Sequence, residues 1–430
     1  MKRLIAFFVC SALLISLLAG CGSVKSNNES ASSTKSIETE STAQTTEAAK
    51  EPIKLKYLGW VEQKQDAMEK LAKELLDKKN IQLEFELLES TTYNDVSKAR
   101  LASGDAPDIM ACNSDKDFYG KAGYLMDLKG QPFLDLFKDG IIDRLKYQDQ
   151  ILILPAATDS FGLYYNKDLF KQLGLEAPKT FPALVDAAKK IKDGGKTAIA
   201  MPGKELWAPQ FLALGLWGAC YDKSSTFFAD AKAGKVKYSS MPEFQGGMEK
   251  FKQLVPYMSV DALGIDWAKA QQQFYTGEAA MIASGTWMLS DVRKANPQFE
   301  VGFMSIPYSD QPLEKYSTQG GYTFCLGIPA SVKNKDASLA YIDWFFRDYY
   351  KTYLDDTQFA GSAVKGIVPA FDPILADFDS TFASTTDMVF EASVQNIYFK
   401  GFQEIIGNKR EPKDIMQDMD KEMEKLAKLN

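Results

Sequence analysis

Apolar and polar positions alternate from Ile53 to Tyr57, the period of a strand, and the pattern breaks at Gly59-Trp60-Val61-Glu62. Met68, Leu71, Ala72, Leu75 and Leu76 then recur at helical spacing, one apolar stripe suited to packing on a sheet. Ile81, Leu83, Phe85 and Leu87 alternate again. A polar helix through Ser103 leads to Gly104-Asp105-Ala106-Pro107-Asp108-Ile109, a turn entering another short apolar run. Strand and helix patterns in alternation predict βαβ units and a largely parallel sheet. In such sheets ligands sit beyond the carboxyl ends of the strands. Trp60 with Glu62, and Asn113 to Asp115, stand just past two of those ends, where a capped loop is the competing reading.

The stretch from Ile151 to Ile191 is the pivot of the pattern. A short apolar run, Ile151 to Leu154, is stopped by Pro155; Thr158, Asp159 and Ser160 form a polar dip; a second run, Phe161 to Tyr165, leads to a helix that Asn166 can cap. Two short strands with a polar kink fit equally an ordinary hairpin or a backbone crossing between two bodies, with Asp159 at the crossing. Downstream the pattern predicts a strand at Thr197 to Met201, a loop with Gly203, Glu205 and Trp207, and a buried helix from Pro209 to Trp217. Gln271 to Ala283 reads as a helix end, a glycine turn and a strand, and Ser284-Gly285-Thr286-Trp287 opens another helix. Strands near Phe299 to Ile306 and Tyr322 to Ile328 bracket a polar loop and Gly320-Gly321. An aromatic helix follows from Ala337 to Tyr349, and Ile415, Met419, Met423 and Leu426 line one face of a final amphipathic helix. No internal repeat is present.

The beginning of the chain has a different character. Lys2 and Arg3 precede an apolar run, Leu4 to Leu18, too short to span a bilayer comfortably, which marks a secretory signal. It ends in Leu18-Ala19-Gly20-Cys21, which resembles the lipobox of bacterial lipoproteins; the resemblance implies cleavage after residue 20 and a diacylated Cys21, an anchor without a spanning helix. Residues 21–50, rich in Ser, Thr, Glu, Asn, Ala and Lys, cannot bury enough apolar surface to offset their ordering entropy and read as a disordered tether.

The remaining 380 residues suffice for two domains with separate cores. Removing Lys2 and Arg3 takes the net charge from −7 to −9, so the body lacks the basic balance of a nucleic-acid binder. The absence of histidine removes Ser-His-Asp and Cys-His catalysis and His-ligated zinc. Cys112, Cys220 and Cys325 are widely spaced and form no CxxC knuckle, so buried, inert thiols are expected, with no metal or cofactor.

SGDAPDI at Ser103 to Ile109, LYYNKDLFKQLGLEAPKTF at Leu163 to Phe181 and FYTGEAAMIASGTW at Phe274 to Trp287, supported by Gly320 to Phe345 and the terminal IIGNKREPKDIM, resemble the extracellular solute-binding proteins of ABC importers. The likeness is to the carbohydrate-binding family that includes the maltose-binding protein. It implies an α/β fold of two lobes with a hinge and a ligand cleft between them. The N-terminal lobe would comprise 51–160 and 305–347, the C-terminal lobe 161–304 and 348–430, with crossings near Asp159, near Phe303 to Pro307 and after the aromatic helix. Closure on a sugar would present the loaded form to a permease. Sugars offer apolar ring faces and a rim of hydroxyls, so the cleft needs flat aromatics and carboxylate or amide acceptors. By position in the family's motifs, Asp115, Asp159 and Trp287 are the expected contacts, joined by Trp60, Glu62, Trp207, Gly321, Tyr322 and Tyr398. Trp217, Trp267 and Trp344 are expected in the core. The protein is expected to be a monomer on the outer membrane face, contacting lipid through its anchor only. Three rivals remain open: a surface glycoside hydrolase, a binder of cationic or peptide-like solutes, and a purely structural lipoprotein.

Overall fold

A computed structural model describes residues 51–223, 230–231, 233–370, 372–386 and 390–428. The signal, Cys21 and the tether lie outside the described residues. Among the described residues eleven strands occur in chain order: β1 (Ile53–Trp60), β2 (Ile81–Leu88), β3 (Ile109–Cys112), β4 (Lys146–Tyr147), β5 (Gln150–Ile151), β6 (Leu154–Asn166), β7 (Thr197–Ala200), β8 (Ala279–Gly285), β9 (Val301–Met304), β10 (Tyr316–Gly327) and β11 (Phe382–Thr386). Nine of them make one sheet, ordered β2-β1-β3-β10-β6-β8-β7, with β9 beside β6 and β11 beside β10. As the alternating pattern predicts, β1–β2, β1–β3 and β7–β8 are parallel, and so is β10–β11. But β3–β10, β6–β10, β6–β8 and β6–β9 are antiparallel, so the sheet is mixed and not largely parallel, because β6 and β10 run against their neighbours where they pass between the lobes.

The lobes are defined by their cores. The first gathers Leu55, Met68, Leu71, Ile109, Ile153, Tyr341 and Phe345. The second gathers Leu163, Leu212, Trp217, Phe244, Met281, Phe402 and Met419, with a smaller cluster around Tyr164, Phe274, Phe303 and Phe378. Helix Gln65–Lys79 buries the predicted Met68, Leu71 and Leu75, while Leu76 turns outward. The helix Gln210–Leu216 is buried on all sides, and Pro412–Ala427 packs Ile415, Met419 and Met423 into its own lobe.

Three boundaries differ from the sequence reading. The two short runs around Asp159 are one unbroken thirteen-residue strand, β6, with Pro155 inside it opposite Cys325. Near Pro155 β6 has β10 on one side only, since β8 and β9 join it from Phe161 and Leu163 onward, so a missing N–H is tolerated there. The second crossing is made by β10 itself, antiparallel to β6 from Gly320 opposite Ser160 to Leu326 opposite Leu154. The run at Phe303 to Ile306 stays in the second lobe as β9 and the residues after it, because β9 pairs with the far half of β6. The first core also continues through Tyr349, Tyr353, Phe359 and Val364, so residues 349–364 pack with the first lobe, not the second. The aromatic helix runs from Lys335 through a π turn at Phe345–Tyr349 to Thr357. Chain returns to the second lobe by Leu375.

Candidate ligand-binding site

Because β6 and β10 are neighbours through the crossing, the residues they carry meet there. Asp159 stands directly opposite Gly321 and Thr158 opposite Tyr322. Asp159, Gly321 and Tyr322 line a cavity of about 430 Å³, with Thr286, Lys138, Arg144 and Gly361 around it. The cavity therefore touches both lobes and the strands that join them.

Asp159 is 3 % exposed. Its Oδ1 accepts from the Thr286 hydroxyl at 3.2 Å, and Thr286 Oγ1 in turn accepts from the Ser160 N–H at 3.3 Å. Oδ2 is buried and has no hydrogen-bond partner among the described residues. Burial pushes this carboxyl up from its ordinary 3.8 to about 7, against the smaller opposing effect of the Thr286 bond. A buried, half-satisfied acceptor is costly in an empty site, and a donor arriving there meets little competition. Gly321 supplies the space: a Cβ built on it meets nothing nearer than Phe161 Cζ at 4.0 Å.

From Phe161 a shelf of rings extends across the second lobe; none of them lines the cavity itself, and Phe161 and Phe211 are buried in the second core. Trp287 stands edge-on to Phe161 at 5.4 Å, Phe211 lies 5.2 Å from Phe161, and Trp207 is 5.5 Å from Phe211 and 5.3 Å from Trp267. The Gly-Thr-Trp turn is local in origin. A Cβ on Gly285 would fall 1.7 Å from the Trp287 ring, so the glycine lets the indole fold back over the end of β8. Trp207 is 39 % exposed, and Trp267, expected in the core, is only half-buried at the shelf's outer end.

The other sequence candidates are placed differently. Trp60 is buried in the first core, stacked on Tyr93 with ring centroids 3.9 Å apart, and its backbone N–H donates to Gln63 Oε1 at 3.1 Å. Glu62 sits half-buried in the turn Val61–Gln63 and does not line the cavity. Asp115 is exposed and caps helix Lys116–Ala122 by accepting from Phe118 N–H at 3.0 Å. Tyr398 is 1 % exposed in the second core, edge-on to Trp217 at 5.7 Å, and is not a cavity residue. Its stripe with Val394, Phe402 and Ile405 on helix Ala392–Ile406 is the signal of a packing face. Thr286, Phe161, Phe211 and Trp267 escaped the sequence reading. Thr286 stands inside the Gly-Thr-Trp motif beside the more conspicuous indole; the others gave only the pattern of apolar residues. Among the described residues no helix is long and apolar enough to cross a membrane.

Comparison with known proteins places these features in a lineage. Residues 60–351 match the family described as bacterial extracellular solute-binding proteins. A multiple sugar-binding protein of Streptococcus mutans is 23% identical over 335 residues, 75% of this chain and 77% of its own length. A maltodextrin-binding protein of Bacillus subtilis is 27% identical over 351 residues, 79% and 75% of the two chains. Among solved structures, a chitin oligosaccharide binding protein has the same fold, with a TM-score of 0.73 at 24% identity over 88% of this chain and 100% of the other.

Proposed function

The chain belongs to the bacterial extracellular solute-binding proteins, and from that membership we propose that it is the substrate-binding component of an ABC importer for a sugar or oligosaccharide. The observation that carries the choice of ligand is the buried Asp159 Oδ2, without a partner, beside the bare Gly321 and a shelf of indole and phenyl rings. A hydroxyl donating to that oxygen forms a charge-assisted bond, about twice as strong as a neutral one. The ring faces take the apolar side of a pyranose. Thr286, Gly321, Tyr322, Trp287, Trp207 and Trp267 complete the proposed contacts on the crossing strands and second lobe, with Asp115 approaching from the first. The lobes are those read above, with the second crossing within β10 and the third between Val364 and Leu375. Ligand touching both lobes favours the closed form, which a permease then recognises. The sugar specificities of the relatives' names support the reading, as does the cavity between the cores.

Cys21 as a lipidated anchor, the tether that follows it, a monomeric state and placement on the outer face of the cell membrane belong to the same proposal; their support is the sequence. The test is a thermal-shift screen of mono- and oligosaccharides, polyamines and short peptides, followed by calorimetry and product analysis. Stabilisation by a sugar without turnover supports the reading, because a ligand that binds only the folded state raises its stability by mass action. Stabilisation by polyamines alone, or hydrolysis of the sugar, refutes it.

A further inference from the structure

Two of the three body cysteines are neighbours. Cys112 is the last residue of β3, Cys325 lies in β10, and they are direct partners in the antiparallel ladder between those strands. Both are fully buried, and Tyr119 lies against the pair, bonded to Cys112 and within electrostatic reach of Cys325. Direct partners across an antiparallel ladder have Cα atoms about 4.5 or 5.5 Å apart, with side chains on one face. Disulfides span Cα separations of roughly 4.4–6.8 Å, so both ladder geometries fall within the bridging range. Cys220, on helix Gly218–Lys223, is buried in the second core, whereas Cys112 and Cys325 belong to the first. The family is extracellular, and disulfides form and persist outside the cytoplasm.

We propose that Cys112 and Cys325 are a dithiol pair that closes into a cross-strand disulfide in the exported chain, leaving Cys220 as a thiol. All three are buried thiols in the structure, as the sequence leads one to expect, and the register of β3 and β10 makes two of them neighbours. Burial pushes the Cys112 thiol well above its ordinary range, so the completed fold protects the pair from exchange. Oxidation belongs to folding, before β10 settles on β3. The oxidant is a disulfide donor, a small molecule or a protein. The Cys112 thiolate attacks one donor sulfur, forming a mixed disulfide and releasing one donor thiolate. The Cys325 thiolate then attacks Cys112 Sγ and releases the second. The two protons given up by the cysteines go to the two donor sulfurs, and the donor is reduced to a dithiol or to two thiols.

The position gives the bond a mechanical role. The β3–β10 ladder has only three partner pairs, and Cys112–Cys325 is the pair nearest the crossing. Phe324, just before Cys325, has φ 52, a backbone conformation that a phenyl-bearing residue adopts only under constraint. A covalent bond here pins β10 where it leaves the first lobe and holds the Asn113–Asp115 loop at a set distance from Gly321 and Tyr322.

The test compares the full chain exported by a bacterial host, the same chain made in a reducing cytosol, and reduced chain refolded with oxidised and reduced glutathione. Each is denatured without reductant, alkylated and peptide-mapped. A linked Cys112–Cys325 peptide pair with alkylated Cys220 in the exported and refolded samples, and a higher melting temperature than the cytosolic form, are expected. C112S and C325S should each abolish the linked pair and the melting difference, while C220S leaves both unchanged. Alkylation of all three cysteines in both oxidising samples, or a link that involves Cys220 or a second chain, overturns the proposal. Because the readout is covalent and independent of any sugar, failure of the bond and failure of the binding function are distinguishable.

Discussion

Asp159→Asn separates what the carboxylate does for the ligand from what it costs the fold. The native carboxyl titrates near 7 in the folded chain and near 3.8 in an ordinary setting. Below 3.8 it is neutral folded and unfolded, and its burial is least costly. As pH rises from 3.8 through 7 the unfolded chain gives up a proton that the folded chain keeps, so stability is lost across that window. Above 7 the cost is complete, of order 4 kcal/mol at about 1.4 kcal/mol per tenfold. The asparagine keeps an acceptor for Thr286 and removes the charge, while its own buried NH2 costs about 1–3 kcal/mol. The variant should therefore be about 1–3 kcal/mol more stable than the native chain at pH 8, with the gain vanishing or reversing near pH 4. Ligand affinity should move the opposite way. Losing a hydrogen bond to a charged acceptor costs about 1.5–3 kcal/mol, roughly 10- to 150-fold in Kd. The native chain should also bind more weakly as pH drops from 8 to 5, releasing a proton on binding, whereas the variant's affinity should be flat. Denaturant titrations at pH 4 and 8 and calorimetry in buffers of different ionisation enthalpy read each quantity. A variant that is less stable at pH 8, or that binds sugar as tightly as the native chain, refutes the reasoning.

Gly321→Leu should fold with a melting temperature close to native, because its Cβ enters open space, yet lose most affinity; unchanged calorimetric binding would remove Gly321 from the site. Gly361→Ala should instead destabilise by about 1–3 kcal/mol, since the added Cβ falls 2.0 Å from the Thr158 carbonyl oxygen where Gly361 bridges to β6, and denaturant midpoints test it. Trp207→Ala should leave stability nearly unchanged and weaken binding, while Trp217→Ala in the core should cost about 3–5 kcal/mol; the pair is compared by thermal melting and calorimetry. Asp420→Ala leaves the buried N–H of Tyr238 and the N–H of Ser239 without their acceptor and should cost about 1–3 kcal/mol in denaturant titrations while sparing affinity.

Elements whose pattern has one period on one face were legible from the chain alone. The stripe of Met68, Leu71 and Leu75 and the strand Ile81–Leu88 are of that kind, while the helix Gln210–Leu216 was legible as a continuous apolar run. The continuity of β6 was not, because a proline in mid-strand ordinarily interrupts a ladder, and only the missing neighbour on one side makes it harmless. The second crossing was misplaced for a related reason: Phe299 to Ile306 and Tyr322 to Ile328 both read as short apolar runs, and which one belongs to the strand that spans the lobes depends on partners distant in sequence. Asp159 was legible as the carboxylate of a polar dip between two apolar runs. Its missing partner was not, since that is set by the position of Thr286 more than a hundred residues away. Trp60 and Tyr398 carried the right chemistry for a cleft, but their rings are taken by Tyr93 and by Trp217.

The interleaving of the two cores also dictates the order in which this protein can be made. The first core needs residues from Leu55 to Ala157 and again from Cys325 to Val364. The second needs the helices Ala392–Ile406 and Pro412–Ala427. During synthesis, then, neither lobe can reach its final packing until most or all of the chain has emerged. A long, incompletely packed nascent chain is a liability in a crowded cytosol. It is an advantage to a member of an extracellular family, since threading a narrow export channel requires a chain that has not yet folded.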